Sequence, residues 1–394
     1  MKYAVVIIDG AAGLPVPDKG GKTSLELART PNLDVMASAG RTGLVRTVPP
    51  GMEPSSALAC MSVIGYDPIV YYKGRASIEA KSLDIDILPG EVVFRCNLVT
   101  VQGGVMKDYS GGHITTPEAA EIVKTLNEQL GGDDIMFYAG TGYRQYVKLK
   151  GREDSLKAIC TGPHDIPDKP VEEYLPRGEG SKFIRNLMRR SEPLLRDHPV
   201  NIARRSRGES EITTIWLFWG AGPAPEMPLF NNAYGINAAM TSGVDLLRGL
   251  AKMAGMDILQ IPGVTDGPDN DYAAQAEGAL KALQDHDLVV VHIESPDEAG
   301  HGGHIDEKVQ AIENIDREVI GRLLNYENAD LRILVMPDHP TPLILRTHTP
   351  DPVPFLIWGS GITPNGAALY SEKEAASTGV FIEKGYTIMR ELVG

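Results

Sequence analysis

The chain has 394 residues, of which 42% are hydrophobic, and a formal net charge of −14. This length predicts two domains, or one large domain with an insertion, and the apolar content is ordinary for a globular protein. The negative charge and the absence of a basic stripe argue against a nucleic-acid surface, and no apolar run approaches membrane-spanning length. We therefore expect neither nucleic acid nor a membrane as a partner, while the oligomeric state is left open.

The cysteines Cys60, Cys96 and Cys160 are odd in number, widely separated, and form no C-x-x-C motif. Reduced thiols in a cytoplasmic protein are therefore expected. The chain starts directly in the apolar run Tyr3–Ile8, which is too short for the core of a signal peptide and ends at an acid, Asp9.

The sequence of residues 1–65 predicts a strand followed by two helices. Strand Tyr3–Ile8 leads into a glycine-containing loop after Asp9. A helix is expected to begin at Pro31 and to end at Gly40, because proline favours the first helical position and glycine favours the end. The segment Ser55–Gly65 is expected to form another helix, with serines at its start.

The pattern changes between Phe94 and Gly180. Helix Pro117–Leu130, with Thr116 as the expected N-cap, lies among several candidate strands, which is typical of a small α+β domain. The candidate strands are Phe94–Val101, Ile135–Ala139, Tyr143–Leu149 and Ala158–Thr161. Residues Lys182–Arg196 predict a basic amphipathic helix that leads back to the main domain.

Beyond Ile212 strands and helices alternate, which predicts a mainly parallel sheet with helices on both faces. The predicted strands there include Ile212–Trp219, Leu288–Ile293 and Leu331–Met336. We expect Tyr3–Ile8 to join this sheet, because its end carries an acid like those of the late strands. The predicted fold class is α/β, doubly wound, with residues 1–92 and 210–394 in a discontinuous catalytic domain and residues 93–209 in an inserted lid domain.

Three acids follow predicted strands: Asp9, Asp297 and Asp338. Carboxyl ends of parallel strands share one crevice, where three carboxylates would repel each other unless cations lay between them. Single residues of this kind are ordinary caps or surface groups, but the whole set indicates a site for two metal ions.

Nearby histidines add nitrogen donors, which a transition metal accepts more readily than calcium does. Asp297 and His301 are four residues apart and would share one face of a helix. The pair Asp338-His339 follows a strand directly, and His348 lies a few residues further on.

A hydroxyl near two cations is a candidate nucleophile, because a cation lowers the pKa of a coordinated alcohol. Ser56 opens a helix whose N-terminus favours an anion, although a serine there can also be a plain N-cap. In the predicted inserted domain, His113 follows two glycines and Arg144 could grip a phosphate or a carboxylate. The alternative is that the glycines form only a turn and that Arg144 is a solvated strand residue.

Several long motifs are distributed along the chain. They are V-V-I-I-D-G-A-A-G after Ala4, G-G-K-T-S-L-E-L-A-R-T-P-N-L-D at Gly20–Asp34, V-I-G-Y-D-P at Val63–Pro68, H-I-E-S-P-D-E-A-G-H at His292–His301, and P-D-H-P-T-P at Pro337–Pro342. These motifs resemble those of the archaeal-type cofactor-independent phosphoglycerate mutases of the alkaline phosphatase superfamily. The resemblance extends over nearly the whole chain.

The resemblance implies a chemistry as well as a fold. It implies that Asp9, Ser56, Asp338 and His339 bind one metal ion and that Asp297, His301 and His348 bind the other. Ser56 would take a phosphoryl group from a small phosphorylated substrate and return it, which interconverts 3- and 2-phosphoglycerate in glycolysis. The ligand types favour Mn²⁺, with Zn²⁺ and Mg²⁺ as alternatives.

Three residues depart from the pattern expected of the family. Ala57 and Cys60 stand where an acid and a histidine are common, and Gln275 stands where a lysine is expected. Two other enzymatic functions therefore stay open: homoserine phosphorylation in threonine synthesis, and a metal-dependent phosphatase. A non-catalytic metal-binding protein is a further alternative.

Overall fold

The computed structural model of the protein describes residues 1–326 and 330–394. It divides into two compact units, which we call the larger unit (Met1–Tyr72 with Glu226–Gly394) and the inserted unit (Lys73–Pro225). Within the described ranges, no helix combines the length and the apolar character needed to cross a membrane.

The strands are β1 (Lys2–Ile8), β2 (Arg41–Val45), β3 (Glu91–Gln102), β4 (Val105–Asp108), β5 (Ile135–Tyr138), β6 (Arg144–Lys150), β7 (Thr214–Ala221), β8 (Ala238–Thr241), β9 (Asp257–Ile258), β10 (Leu288–Ile293), β11 (Leu331–Met336), β12 (Val353–Gly359) and β13 (Phe381–Ile382).

The α-helices are α1 (Ser24–Leu27), α2 (Pro31–Ala39), α3 (Ser56–Val63), α4 (Pro68–Tyr71), α5 (Arg75–Ser82), α6 (Thr116–Leu130), α7 (Ser181–Arg196), α8 (Pro199–Ser206), α9 (Phe230–Tyr234), α10 (Asp245–Met253), α11 (Tyr272–Ala282), α12 (Ser295–Gly302), α13 (Ile305–Asn314), α14 (Gly321–Leu324), α15 (Glu372–Ser377) and α16 (Ile388–Val393). A π-helical turn, Ile315–Ile320, joins α13 to α14.

The larger unit is built on a sheet with the strand order β13-β2-β12-β11-β1-β10-β8-β9. Strand β1 is central and pairs in parallel with both β10 and β11, whereas β12 is antiparallel to β11 and to β2. The central strands are nearly continuous apolar runs, as expected for strands that are covered on both faces. The predicted mainly parallel α/β fold is confirmed.

Alternate residues of β1 face two helical layers, because successive side chains of a strand point to opposite faces. Val6 and Ile8 belong to a buried cluster with Leu33 of α2 and Ile312 of α13. Helices α10 and α16 also pack on this sheet, against β8 and β11.

The inserted unit contains an antiparallel sheet centred on β3. Strand β3 pairs with β6 along one edge and with β7 along the other, and β5 extends the sheet beyond β6. Helix α6 begins with a capping box in which Thr115 caps the helix and Glu118 bonds back to it, so the N-cap is one residue earlier than predicted.

Strand β7 was predicted for the parallel sheet, and this prediction is wrong. It pairs antiparallel with β3, and helix α7 packs against it, so both belong to the inserted unit. The two units divide after Tyr72 and after Pro225, rather than after the predicted residues 92 and 209. The predicted strand Ala158–Thr161 is absent from the described fold and contributes only an isolated bridge at Ile159.

Candidate active site

The carboxyl ends of β1, β10 and β11 bring three acids to one edge of the larger sheet. The parallel register aligns Ile8 with Ile293 and Ile7 with Met336, so the residues that follow each strand emerge side by side. Asp9 follows β1, Asp338 follows β11 after one proline, and Asp297 lies in the first turn of α12. All three carboxyl groups are almost completely buried.

Glycine is required next to Asp9 for a steric reason. Gly10 has φ +61°, and a Cβ added there would lie 2.7 Å from Thr341 Oγ1 and 2.8 Å from Asp297 Cα. The left-handed backbone and the close approach therefore exclude an ordinary side chain at this turn.

Helix α3 brings a hydroxyl to the same edge. Every residue of α3 is buried, and Ser55 precedes it as the N-cap without a capping bond from its side chain. The Oγ atom of Ser56 lies 3.2 Å from His339 Nε2. Cys60 follows one helical turn later on the same face, and its sulfur lies 3.3 Å from Asp338 Oδ2.

Asp9, Asp338 and His339 form a first cluster, whose ligand atoms lie within 4.8 Å of one another. In each carboxylate one oxygen is already held: Asp9 Oδ2 lies 2.7 Å from His292 Nε2, and Asp338 Oδ1 accepts the backbone N–H groups of Gly10 and His339. Among the described residues, Asp9 Oδ1 has no hydrogen-bond partner although it is buried. A buried acceptor atom without a donor is unfavourable unless a cation faces it.

Asp297, His301 and His348 form a second cluster. The two imidazoles approach with their Nε2 atoms 2.9 Å apart. Asp297 Oδ2 lies 3.2 Å from His301 Nε2, and Oδ1 lies 3.6 Å from His348 Nε2. The ring centroids of His339 and His348 are 3.9 Å apart, so the two clusters adjoin.

The hydrogen bonds of Nδ1 determine which nitrogen of each imidazole carries a lone pair. Nδ1 of His301 faces the carbonyl oxygen of Arg346 and Nδ1 of His348 faces that of Pro54, so we assign N–H groups to both. In His339, Nδ1 lies 3.3 Å from the hydroxyl of Thr341, which donates its own proton to Asp297. When the rings are neutral, all three imidazoles therefore direct the lone pair of Nε2 into the clusters. When its ring is protonated, His301 or His348 instead donates from Nε2 towards Asp297.

The pKa values of the carboxyl groups at the clusters are shifted because these acids are buried close to one another. Burial, with the nearby charge of Asp338, raises the pKa of Asp9 well above its ordinary value. Burial alone would also raise the pKa of Asp297, but hydrogen bonds from His301 and His348 hold it well below its ordinary value. Burial raises the pKa of Glu294, helped by the charge of Asp297, to about 8. Positive charge would stabilise this arrangement.

The other two predicted site residues, His113 and Arg144, lie in the inserted unit. His113 has the left-handed value φ 50° and follows a tight turn in which Asp108 accepts the backbone N–H groups of Ser110 and Gly112. Arg144 begins β6, and its guanidinium lies over the ring of Tyr143 at 5.0 Å.

Comparisons with known proteins agree on one family. The family model described as 2,3-bisphosphoglycerate-independent phosphoglycerate mutase matches residues 37–201. The chain is similar to the protein of that name from Methanothrix thermoacetophila, with 46% identity over the full length of both chains. This chain belongs to the cofactor-independent phosphoglycerate mutase family.

Solved structures agree with this family. The cofactor-independent phosphoglycerate mutase from Thermoplasma acidophilum is 27% identical, with a TM-score of 0.64 over 100% of this chain and 99% of that chain. A protein from Pyrococcus horikoshii is 25% identical, with a TM-score of 0.82 over 99% of this chain and 96% of that chain. The resemblance of the sequence to the cofactor-independent phosphoglycerate mutases is confirmed.

The residues present fit the divalent metal ions that such a mutase fold implies. The first cluster offers Asp9 Oδ1, which has no hydrogen-bond partner among the described residues, and the second offers two imidazole Nε2 atoms 2.9 Å apart beside a carboxylate. Mixed nitrogen and oxygen donors suit transition-metal ions such as Mn²⁺ and Zn²⁺.

Sequence reasoning missed the residues that hold the candidate ligands in place. His292 lies within β10, and its Nδ1 lies 3.0 Å from the hydroxyl of Ser242, so the ring is fixed beside Asp9. Lys308 is fully buried and donates to the carbonyl oxygen of Thr341 at 2.7 Å. A polar residue within an otherwise apolar strand, such as His292, was the available signal.

The departure at Gln275 has a local explanation. Its amide nitrogen donates to the carbonyl oxygen of His292 at 3.0 Å, and its amide oxygen accepts from Asn270 at 2.9 Å. Gln275 is buried, so these bonds satisfy a side chain that is closed off from solvent.

Proposed function

We propose that this protein interconverts 3-phosphoglycerate and 2-phosphoglycerate by metal-dependent phosphoryl transfer through a phosphoserine at Ser56. The observation that carries the proposal is the position of the Ser56 hydroxyl, 3.2 Å from His339 Nε2 and at the first residue of α3. The family membership of the chain supports the substrate, and the two acid and imidazole clusters support the metal requirement.

The proposed metal sites follow the two clusters. Asp9, Asp338, His339 and the Ser56 oxygen would hold one divalent ion, and Asp297, His301 and His348 would hold the other. We expect Mn²⁺ at a site made of nitrogen and oxygen donors, with Zn²⁺ and Mg²⁺ as alternatives. When bound, such ions supply positive charge that favours the ionised serine and the transferring phosphoryl group.

The residues around Ser56 prepare it to act as a nucleophile. Burial lowers the pKa of His339, which favours the neutral imidazole that can ligate a metal ion. The backbone N–H groups of Ser56 and Ala57 come before the first backbone hydrogen bonds of α3, which Leu58 and Ala59 donate to the carbonyl oxygen of Ser55. The N–H groups at a helix start and the helix dipole favour a phosphoryl group on Ser56.

The reaction that we propose is balanced in two steps. The Ser56 hydroxyl loses its proton as its oxygen attacks phosphorus, the ester bond between phosphorus and one glycerate oxygen breaks, and that oxygen takes up a proton. The other glycerate hydroxyl then loses its proton as it attacks the phosphoserine, the bond between phosphorus and the Ser56 oxygen breaks, and the serine hydroxyl regains a proton. His113 and Arg144 are proposed to bind the substrate.

We also propose a cytoplasmic location, because Cys60, Cys96 and Cys160 form no disulfide bonds.

The adjacent serines allow a matched test. Ser56→Ala and Ser55→Ala are compared in an assay of 3-phosphoglycerate conversion coupled to enolase, with homoserine phosphorylation and phosphate release measured in parallel. We expect Ser56→Ala to lose activity by about 10³-fold or more, while Ser55→Ala stays active, because its side chain makes no capping bond. Mass spectrometry of quenched wild-type protein should find phosphate on Ser56.

Three outcomes would contradict parts of this proposal. Turnover by Ser56→Ala at the wild-type rate would exclude Ser56 as the nucleophile and leave it only as the first residue of α3. Activity on homoserine without activity on phosphoglycerate would change the substrate. Release of free phosphate without isomerisation would indicate a phosphatase.

A further inference from the structure

The thiol of Cys60 lies at the first metal cluster rather than in ordinary apolar core. Cys60 is the fourth residue after Ser56, so both side chains lie on the same face of α3. Cys60 is fully buried, and its sulfur lies 3.3 Å from Asp338 Oδ2, the oxygen that also lies 3.3 Å from His339 Nε2. The sulfur and the imidazole nitrogen are therefore neighbours of the same carboxylate oxygen.

A second observation points to a cation at this place. Asp9 is completely buried, and its Oδ1 atom has no hydrogen-bond partner among the described residues. This atom lies 3.7 Å from His339 Nε2, while the other carboxylate oxygen, Oδ2, is bonded to His292. Asp9 and Cys60 also offer ligand atoms within 4.8 Å of each other. The carboxylates of Asp9 and Asp338, the imidazole of His339 and the thiol of Cys60 therefore lie close together.

Cys96 shows how a buried structural thiol differs. It is equally buried, but it lies in β3 within the apolar core of the inserted unit. Its side chain packs among apolar residues there, whereas the sulfur of Cys60 lies 3.3 Å from Asp338 Oδ2 and within 4.8 Å of a carboxylate oxygen of Asp9. A thiolate among these acids requires a cation.

We infer that Cys60 is a thiolate ligand of the cation held by Asp9, Asp338 and His339. This inference rests on the metal sites of the proposed function. It means that the two sites bind their ions with chemically different ligands. When the ion binds, the S–H bond breaks, a sulfur–metal bond forms, and the proton is released to solvent, with no change in oxidation state. The second cluster contains only oxygen and nitrogen donors.

The consequence is a difference in metal preference between the two sites. Thiolate is a soft ligand that favours Zn²⁺, Co²⁺ and Fe²⁺ over Mn²⁺ and Mg²⁺. The site with Cys60 should therefore take a thiophilic ion, whereas Asp297, His301 and His348 keep the preference expected of nitrogen and oxygen donors. Mn²⁺ alone would then fill the two sites with unequal affinity.

Cobalt substitution tests the inference directly. Metal-free full-length protein is loaded with Co²⁺, its cobalt content is measured, and its absorption is recorded for the thiolate-to-cobalt charge-transfer band in the near ultraviolet. We expect the band in wild-type protein and in the double variant Cys96→Ser/Cys160→Ser, in which Cys60 is the remaining cysteine. We expect Cys60→Ser to lose the band while still binding cobalt.

A competition experiment gives an independent readout. The ratio of the affinities for Zn²⁺ and Mn²⁺ is measured for wild-type protein, Cys60→Ser and the control Cys96→Ser. Loss of the sulfur should lower this ratio by about tenfold or more in Cys60→Ser only. An unchanged ratio in folded Cys60→Ser would overturn the inference.

The outcomes separate the inference from the function beneath it. If wild-type protein or the double variant binds two cobalt ions per chain without a thiolate band, Cys60 is not a ligand and the proposed mutase site stands. If neither protein binds cobalt, both the inference and the proposed metal sites fail. Because the double variant keeps Cys60, the result does not depend on whether Cys60→Ser folds.

Discussion

The Nε2 atoms of His301 and His348 lie 2.9 Å apart, while Nδ1 of each ring faces a backbone carbonyl oxygen. Two imidazole lone pairs can approach this closely only if a proton or a metal ion lies between them. Burial would lower the pKa of His301, but the hydrogen bond and charge of Asp297 raise it to about 9. The geometry therefore favours a positive charge between the two Nε2 atoms.

We predict two divalent ions per chain, one of which depends on this pair. Asp297→Ala or His348→Ala should each lower the metal content by about one ion, because each removes a ligand of the second cluster. Elemental analysis of purified protein measures this. His304→Ala is the control, because His304 is exposed and pairs with Glu307. Active protein without metal would contradict the prediction.

We predict that Gly10→Ala disrupts the metal site. Its left-handed φ and the proximity of Asp297 and Thr341 mean that a methyl group must displace the carboxylate. The expected cost is about 1–3 kcal/mol of stability, together with weaker metal binding. Thermal unfolding and metal titration measure the two effects.

The control for this substitution is Gly13→Ala. A Cβ at Gly13 would meet Pro342 Cα at 3.6 Å, an ordinary contact, and its φ lies outside the left-handed region. Equal behaviour of the two variants would show that the turn after Asp9 is not under steric constraint.

We predict that Arg144→Ala weakens substrate binding without loss of metal. A guanidinium that holds a phosphate or a carboxylate contributes about 1.5–3 kcal/mol, so KM should rise by roughly 10- to 100-fold. Arg152→Ala is the control, because its guanidinium also lies over an aromatic ring, that of Phe183, at 4.5 Å. An unchanged KM in Arg144→Ala would remove this residue from the substrate site.

We predict that a buried ion pair makes the stability of the inserted unit depend on pH. Burial by itself would raise the pKa of Glu79, but the Arg95 and Arg75 guanidiniums lower it to about 2, against an ordinary value of 4.5. A carboxyl group with a lowered pKa in the folded state stabilises the protein above pH 4.5. This contribution is lost as the pH falls from about 4.5 towards about 2.

Urea unfolding at pH 7 and at pH 3 measures this effect. Glu79→Gln should destabilise the protein by about 3–5 kcal/mol at pH 7, because it leaves Arg95 buried without its counter-ion, and by less at pH 3. Glu179→Gln is the control, because Glu179 pairs with Lys157 at the exposed surface. A loss of stability that is the same at both pH values would show that the charge of Glu79 is not involved.

Several features followed from the sequence because they depend on local patterns. The apolar run before Asp9 predicted β1, and Pro31 and Gly40 predicted the ends of α2. The same logic failed for β7, because an apolar strand has the same pattern whichever sheet it joins. Its pairing with β3 depends on contacts between residues about 120 positions apart, which no local pattern reports.

The sequence by itself determined that acids and histidines follow apolar strands, since these positions are fixed by chain order and by the alternation of buried segments. Only the tertiary structure decided which partner each carboxylate oxygen meets, and that Asp9 Oδ1 has no hydrogen-bond partner among the described residues. His292 reaches Asp9 across paired strands, and Thr341 reaches Asp297 between distant segments. Those bonds orient the side chains, because a buried polar group must find its partner wherever packing brings one within reach.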